Sequence, residues 1–220
     1  MTGTDSRDDI LARVRAGLAH DPALVDTRRR AALDYLSARA QNSRPRLAGD
    51  LTQRFCQRAL AMSSTLDRVA SLAQVPAAVA RYLTANGLPL KGVCWTCHAA
   101  LDWAAAGLHV EARAAGHDDL VGITGAFCAI AETGTLMLLS GAETAATTSL
   151  LPETHIAIVP ASRIVAGMED GFALLRAEHG ELPHAVNFVS GPSRTGDIEL
   201  TLVLGAHGPY RVHLLIVADE

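Results

Sequence analysis

Aromatic side chains make up only 4% of the 220 residues, although 49% are hydrophobic. The interior must therefore be filled by Ala, Val, Leu and Ile, a composition suited to helices packed on a largely buried sheet. A dominant charge is missing too: 19 basic residues stand against 23 acidic ones, a net charge of −4, and neither sign clusters after residue 50. That excludes a broad electrostatic footprint for nucleic acid. No stretch of eighteen residues is free of both charges and helix breakers, which excludes a membrane-spanning helix. The leading MTGTDSRDDILARVR carries charge where an export signal needs an apolar run, so a cytoplasmic protein is expected. Cysteine is scarce as well. The four present, Cys56, Cys94, Cys97 and Cys128, are expected as reduced thiols rather than a disulfide frame. No G-x-G-x-x-G dinucleotide fingerprint occurs.

What is present reads as one α/β core with an appendage. Asp5 to Leu18 places Ile10, Leu11, Val14 and Leu18 on one helical stripe,. A second helix runs from Thr27 to about Arg39. Its Arg28, Arg29 and Arg30 are read as a solvated face in preference to an anion site. QNSRPRLAGD is a linker, which divides the chain into a helical extension, 1–49, and an α/β domain, 50–220. Within that domain the spacing predicts helices at 50–62, 76–86, 144–151, 162–178 and 195–204. Strands are predicted at 66–69, 91–95, 108–112, 155–159, 185–189 and 211–217. The helix-like HAALDWAAAG lies between the second and third of those strands, and two apolar runs, 120–130 and 135–140, form a hairpin around AETG. This alternation implies a mostly parallel, twisted sheet with helices on both faces.

Three segments carry chemistry. SGPSRTGDIE, 190–199, is read as a loop from a strand into a helix, presenting Ser193, Arg194 and Thr195 at a helix N-terminus, where anions are favoured. Asp197 and Glu199 compensate the same dipole, so a capped helix with an Arg194–Asp197 pair is an equal alternative. In AETGTL, Glu132 interrupts the most apolar stretch of the chain. Its burial demands a partner, for which Arg194 is the first choice; a solvent-exposed turn Glu is the plainer reading. His207, in GAHGP, is a third candidate near the same edge. CWTCH, 94–98, spells C-x-x-C-H, but haem attachment needs export. A dithiol or a three-ligand metal site remains open, with incidental cysteines preferred and no metal site assigned.

The stretches GITGAFCAIAETGTLMLLSG, LLPETHIAIVPASRIVAGMEDGF and NFVSGPSRTGDIELTLVLGAHGPYRVHLLIV resemble the lactate utilization protein C family, whose core is the LUD domain. The resemblance covers about residues 50–220 and is dense from 119 onward. It implies a fold related to the sugar-phosphate isomerase, CoA-transferase and formyltetrahydrofolate cyclo-ligase group. It also implies a role in oxidising L-lactate to pyruvate with two partner proteins, at least one carrying iron–sulfur clusters, with no cofactor or cluster on this chain. The family pattern includes Glu132, Thr133, Gly134 and Thr135, then Gly191, Ser193, Arg194 and Thr195, followed by Asp197 and Glu199. The expectation is one shared pocket for a small carboxylate or phosphorylated ligand, with Glu132 as the candidate catalytic group and His207 nearby. A free-standing isomerase- or acyl-transferase-like enzyme and a non-catalytic assembly module are the alternatives.

Overall fold

A computed structural model of the chain describes residues 4–18, 24–38, 43–45, 47–198 and 201–218. The chain divides into two compact units, Met1–Pro45 and Arg46–Glu220. The first holds helices α1 (Thr4–Gly17) and α2 (Val25–Ala38). The apolar stripe of α1 faces outward, with Ile10 and Val14 each more than half exposed, and α2 buries none of its residues.

The second unit is built on a six-stranded sheet in the order β1–β12–β7–β4–β2–β3. Its strands are β1 (Thr65–Val69), β2 (Lys91–Cys94), β3 (His109–Ala112), β4 (Val121–Gly125), β7 (Thr154–Pro160) and β12 (Arg211–Val217). Every neighbouring pair is parallel. Near-continuous apolar runs give the central strands two buried faces,. In β12, Val212, Leu214 and Ile216 enter one core with Phe55 and Ala59, while Leu215 and Val217 enter another with Val75, Val79 and Leu83. Helix α3 (Leu51–Ala61) therefore lies on one face and α4 (Val75–Ala85) on the other. The caps follow the sequence: Asp50 Oδ1 accepts from the Gln53 amide at 2.7 Å, and Pro76 sits in the first turn of α4,.

After Gly125 the chain leaves this sheet and builds a second one in the order β8–β5–β6–β9. It comprises β5 (Cys128–Ile130), β6 (Thr135–Leu139), β8 (Ile164–Val165) and β9 (Val186–Val189). The hairpin around AETG is β5 against β6. Ala129, Leu136 and Leu138 join the α3 core, whereas Cys128 and Met137 face away and pack with Leu175 of α6 (Met168–His179). Among the described residues no helix is long and apolar enough to cross a membrane.

Several elements differ from expectation. HAALDWAAAG makes only short 3₁₀ turns at 96–98 and 104–106, closed by Gly107 in the left-handed region,. The helix read from 162 begins at Met168, because Ile164 and Val165 pair with β5 first, and the helix at 144–151 shrinks to α5 (Thr147–Leu150). The largest change is at 195–204, where no helix forms. Strands β10 (Arg194–Ile198) and β11 (Thr201–Leu204) make an antiparallel hairpin instead, with Thr195 opposite Val203 and an irregular register between Thr195 and Ile198. The β-branched residues Thr195, Ile198, Thr201 and Val203 favour that choice.

Two histidines are buried in the parallel sheet. His155 Nε2 lies 2.8 Å from Thr124 Oγ1, and His213 Nδ1 lies 2.9 Å from Thr65 Oγ1, its ring stacked on Tyr82. Burial pushes both down to about 4. Between the usual histidine value and about 4, the unfolded chain takes up protons that the folded chain refuses, so stability falls as pH falls. The loss is expected to reach roughly 3 kcal/mol per histidine. Below that window the carboxylates of Asp67 and Asp119, held below their ordinary values chiefly by hydrogen bonds from Arg81 and Arg113, take over. Urea unfolding from pH 7 to pH 4 should show the decline, and His155→Gln should reduce it by about a third or more. An unchanged slope in that variant would remove His155 from the account.

Candidate functional site

The β5–β6 hairpin closes through the four residues 131–134, since Ile130 is paired with Thr135. The Gly134 amide donates to the Ile130 carbonyl at 2.9 Å, and the Glu132 amide to the Ala166 carbonyl at 3.0 Å. Gly134 has φ 71°, and a Cβ there would stand 2.5 Å from the backbone nitrogen of Ala59. Only glycine gives both the left-handed backbone and this close approach to α3.

Strand β9 runs antiparallel to β6 with Val189 opposite Leu136, which brings Ser190 to Thr135. Their hydroxyl oxygens are 2.6 Å apart, and Thr133 Oγ1 is 2.7 Å from Thr135 Oγ1. Gly191 follows with φ 75°, and its missing Cβ would lie 2.1 Å from the Met62 carbonyl oxygen. Arg194 Nη2 donates to that carbonyl at 3.3 Å and to the Ser63 hydroxyl. A guanidinium is well placed at the C-terminal end of a helix, where carbonyl groups are left over. The Ser193 amide donates to the Pro209 carbonyl at 2.9 Å, and the Ser193 carbonyl accepts from Gly205 at 3.0 Å.

The turn 132–135 and the segment 190–194 thus converge on one end of α3, across almost sixty residues of sequence. One expected contact is absent: Glu132 and Arg194 form no ion pair, and Arg194 Nη2 bonds the Met62 carbonyl and the Ser63 hydroxyl instead. The half-buried Glu132 carboxylate accepts no hydrogen bond from the described residues. Thr195 is buried, Asp197 lies on β10, and Glu199 falls outside the described residues. His207 is exposed in the loop between β11 and β12. The helix N-terminus expected at Thr195 does not exist; the helix end at this cluster is the carboxyl end of α3. Nor is this the carboxyl edge of the parallel strands. Ser63 precedes β1 and Pro209 precedes β12, which places the cluster at the amino edge.

The carboxyl edge is built differently. A cavity of about 510 Å³ opens there between the ends of β2, β4 and β7 and the segment 139–144, lined in part by Trp95, His98, Gly125 and Phe127. Its walls come from well-separated segments. The rule that ligands gather beyond the carboxyl ends of parallel strands points to it once the strands are ordered. CWTCH lies in this wall. Cys94 is buried and its thiol is pushed up to about 11, and burial also raises the exposed Cys97. Neither has the depressed value of a redox nucleophile. Among the described residues no group of three or more His, Cys, Asp or Glu side chains is arranged to hold a metal ion.

By class, then, this is an α/β protein with a parallel central sheet, a strand-switching second sheet and polar loops gathered at the amino edge. Residues 91–217, more than half of the chain, match the family model described as the LUD domain, and the chain belongs to that family. Lactate utilization protein C of Halalkalibacterium halodurans is 46% identical over 103 residues, covering 46% of this chain and 45% of that protein. The protein of the same name from Bacillus subtilis is 41% identical over 103 residues, 46% of this chain and 43% of its own. The match spans less than half the length of each relative. The crystal structure of a DUF162 family protein from Deinococcus radiodurans aligns with a TM-score of 0.57 at 23% identity, covering 79% of this chain and 99% of that one. At that identity it shows the fold.

The close packing on α3 has a measurable consequence. Gly87 and Gly191 both have positive φ, but nothing lies within 4 Å of a Cβ added at Gly87. Gly87→Ala should cost about 1 kcal/mol of backbone strain. Gly191→Ala should cost about 3 kcal/mol, because it also collides with the Met62 carbonyl. Equal losses in urea denaturation would mean that the 190–194 segment is not seated on α3.

Proposed function

We propose that this chain is a component of an L-lactate-oxidising system, acting with partner proteins that carry iron–sulfur clusters. The observation that carries the reading is the LUD match, which includes both polar stretches, together with relatives named lactate utilization protein C at up to 46% identity. Converting L-lactate to pyruvate removes two electrons and two protons. Protein side chains of the kinds gathered here do not accept electrons, so the reading assigns the electrons to clusters in the partners.

The ligand role falls to the amino-edge loops. A small carboxylate or phosphorylated ligand would meet the Thr133–Thr135–Ser190 hydroxyls, the Ser193 segment and Arg194. Both hydrogen bonds of Arg194 to the described residues use Nη2, so Nε and Nη1 are the groups that would meet an anion. Glu132, which forms no ion pair among the described residues, is the group available to take a proton from a ligand hydroxyl.

Clean deletion should abolish growth on L-lactate, and tagged full-length protein should co-purify with iron–sulfur proteins from lactate-grown cells. Complementation with Glu132→Gln should restore the complex while lowering lactate-dependent electron transfer about tenfold or more. Normal growth on lactate after deletion, in a strain without a paralogue, would contradict the role. Full activity of Glu132→Gln would contradict the assignment of the loop.

A further inference from the structure

The amino edge holds a second hollow, whose lining includes neither Glu132 nor Arg194. A cavity of about 380 Å³ opens between the segment that enters β7 and the loop from β11 to β12, lined in part by Leu151, Glu153, Leu204, Gly205, Tyr210 and Arg211. The strand register explains the placement. Arg211 lies opposite Thr154 in the parallel ladder, and its amide donates to the Glu153 carbonyl at 2.9 Å. Two opposite charges therefore stand side by side where β7 and β12 begin.

Their side chains are not engaged. Arg81, Arg113 and Arg163 each pair with a carboxylate, whereas the Arg211 and Glu153 side chains make no ion pair or hydrogen bond with any described residue. The Arg211 guanidinium is instead stacked on the Tyr210 ring, its central carbon 4.8 Å from the centroid, which holds its plane in place. Gly205 makes room for that stack. Its φ is 77°, and a Cβ there would stand 3.2 Å from Tyr210 Cβ,. Of the guanidinium nitrogens only Nη1 is closed off from the surface. Nε and Nη2 remain accessible with unused N–H donors, and Glu153 is exposed with both carboxylate oxygens free.

This pair of charges specifies an occupant. A simple anion drawn to Arg211 comes close to the Glu153 carboxylate and is repelled by it, and a simple cation meets the converse problem. A molecule that carries both signs a few atoms apart satisfies both residues through charge-assisted hydrogen bonds. Leu151 and Leu204, 55% and 41% exposed, add an aliphatic rim to the same hollow. We infer that this cavity binds a small aliphatic amino acid as its zwitterion. The carboxylate bonds to Nε and Nη2 of Arg211, the ammonium group to Glu153, and the side chain lies against the two leucines. The volume falls in the range of small-molecule sites. This inference does not rest on the proposed role in lactate oxidation, which uses Glu132 and Arg194.

Three probes of one carbon frame test it by calorimetric titration of the full-length chain at pH 7: L-leucine, 4-methylpentanoate, which lacks the ammonium group, and 3-methylbutylamine, which lacks the carboxylate. L-Leucine should bind about tenfold or more tightly than either of the others. Arg211→Gln should weaken L-leucine about tenfold and leave 3-methylbutylamine within about twofold, whereas Glu153→Gln should weaken L-leucine about tenfold without weakening 4-methylpentanoate. Both side chains lie at the surface, and circular dichroism checks that each variant is folded. Equal affinity for L-leucine and either single-charge probe, no binding of L-leucine, or L-leucine affinity unchanged in either variant would overturn the inference.

Discussion

The insertion of β12 between β1 and β7 is the constraint on which the rest depends. Its residues alternate into two cores, so one seven-residue strand holds α3 and the second sheet on one side and α4 on the other. A parallel neighbour on each flank requires long connections that return across the sheet. Those returns set the character of the two edges. Segments entering β12 and β1 gather at the amino edge with the 190–194 loop. Segments leaving β2, β4 and β7 enclose the cavity.

The amino-edge cluster is held by backbone economy more than by charge. Two left-handed glycines let the 131–134 turn and the 190–194 loop lie directly on the end of α3, and a short chain of hydroxyls joins them. Arg194 completes the closure by satisfying a carbonyl that the helix leaves over. The same residue types that suggest anion binding thus also do structural duty, and Glu132 forms no ion pair among the described residues.

Much of the fold was legible because burial imposes simple patterns. The β12 run, the hairpin around AETG and the start signal at Pro76 each follow from a local rule that tertiary packing does not override. The 195–204 segment reads as a helix because its charges resemble a first helical turn, while its β-branched residues carry the opposite message. The Ala-rich 98–107 segment has helix propensity, yet Gly107 and the Trp103 anchor break it into short turns. At the site, the pairing of positions near 132 with positions near 191 was legible. The partner of Arg194 was not, since Met62 and Ser63 lie about 130 positions away and offer only a carbonyl and a hydroxyl. CWTCH marks one wall of the carboxyl-edge cavity, but strand order is needed to see the other walls.

Amide hydrogen exchange tests the central claim most directly. If β12 is the strand that unites both cores, the amides of β12 and β7 should exchange only through global unfolding and be the slowest in the chain, while the β10–β11 hairpin exchanges faster through local opening. Rapid exchange in β12, at rates like those of the hairpin, would contradict the account.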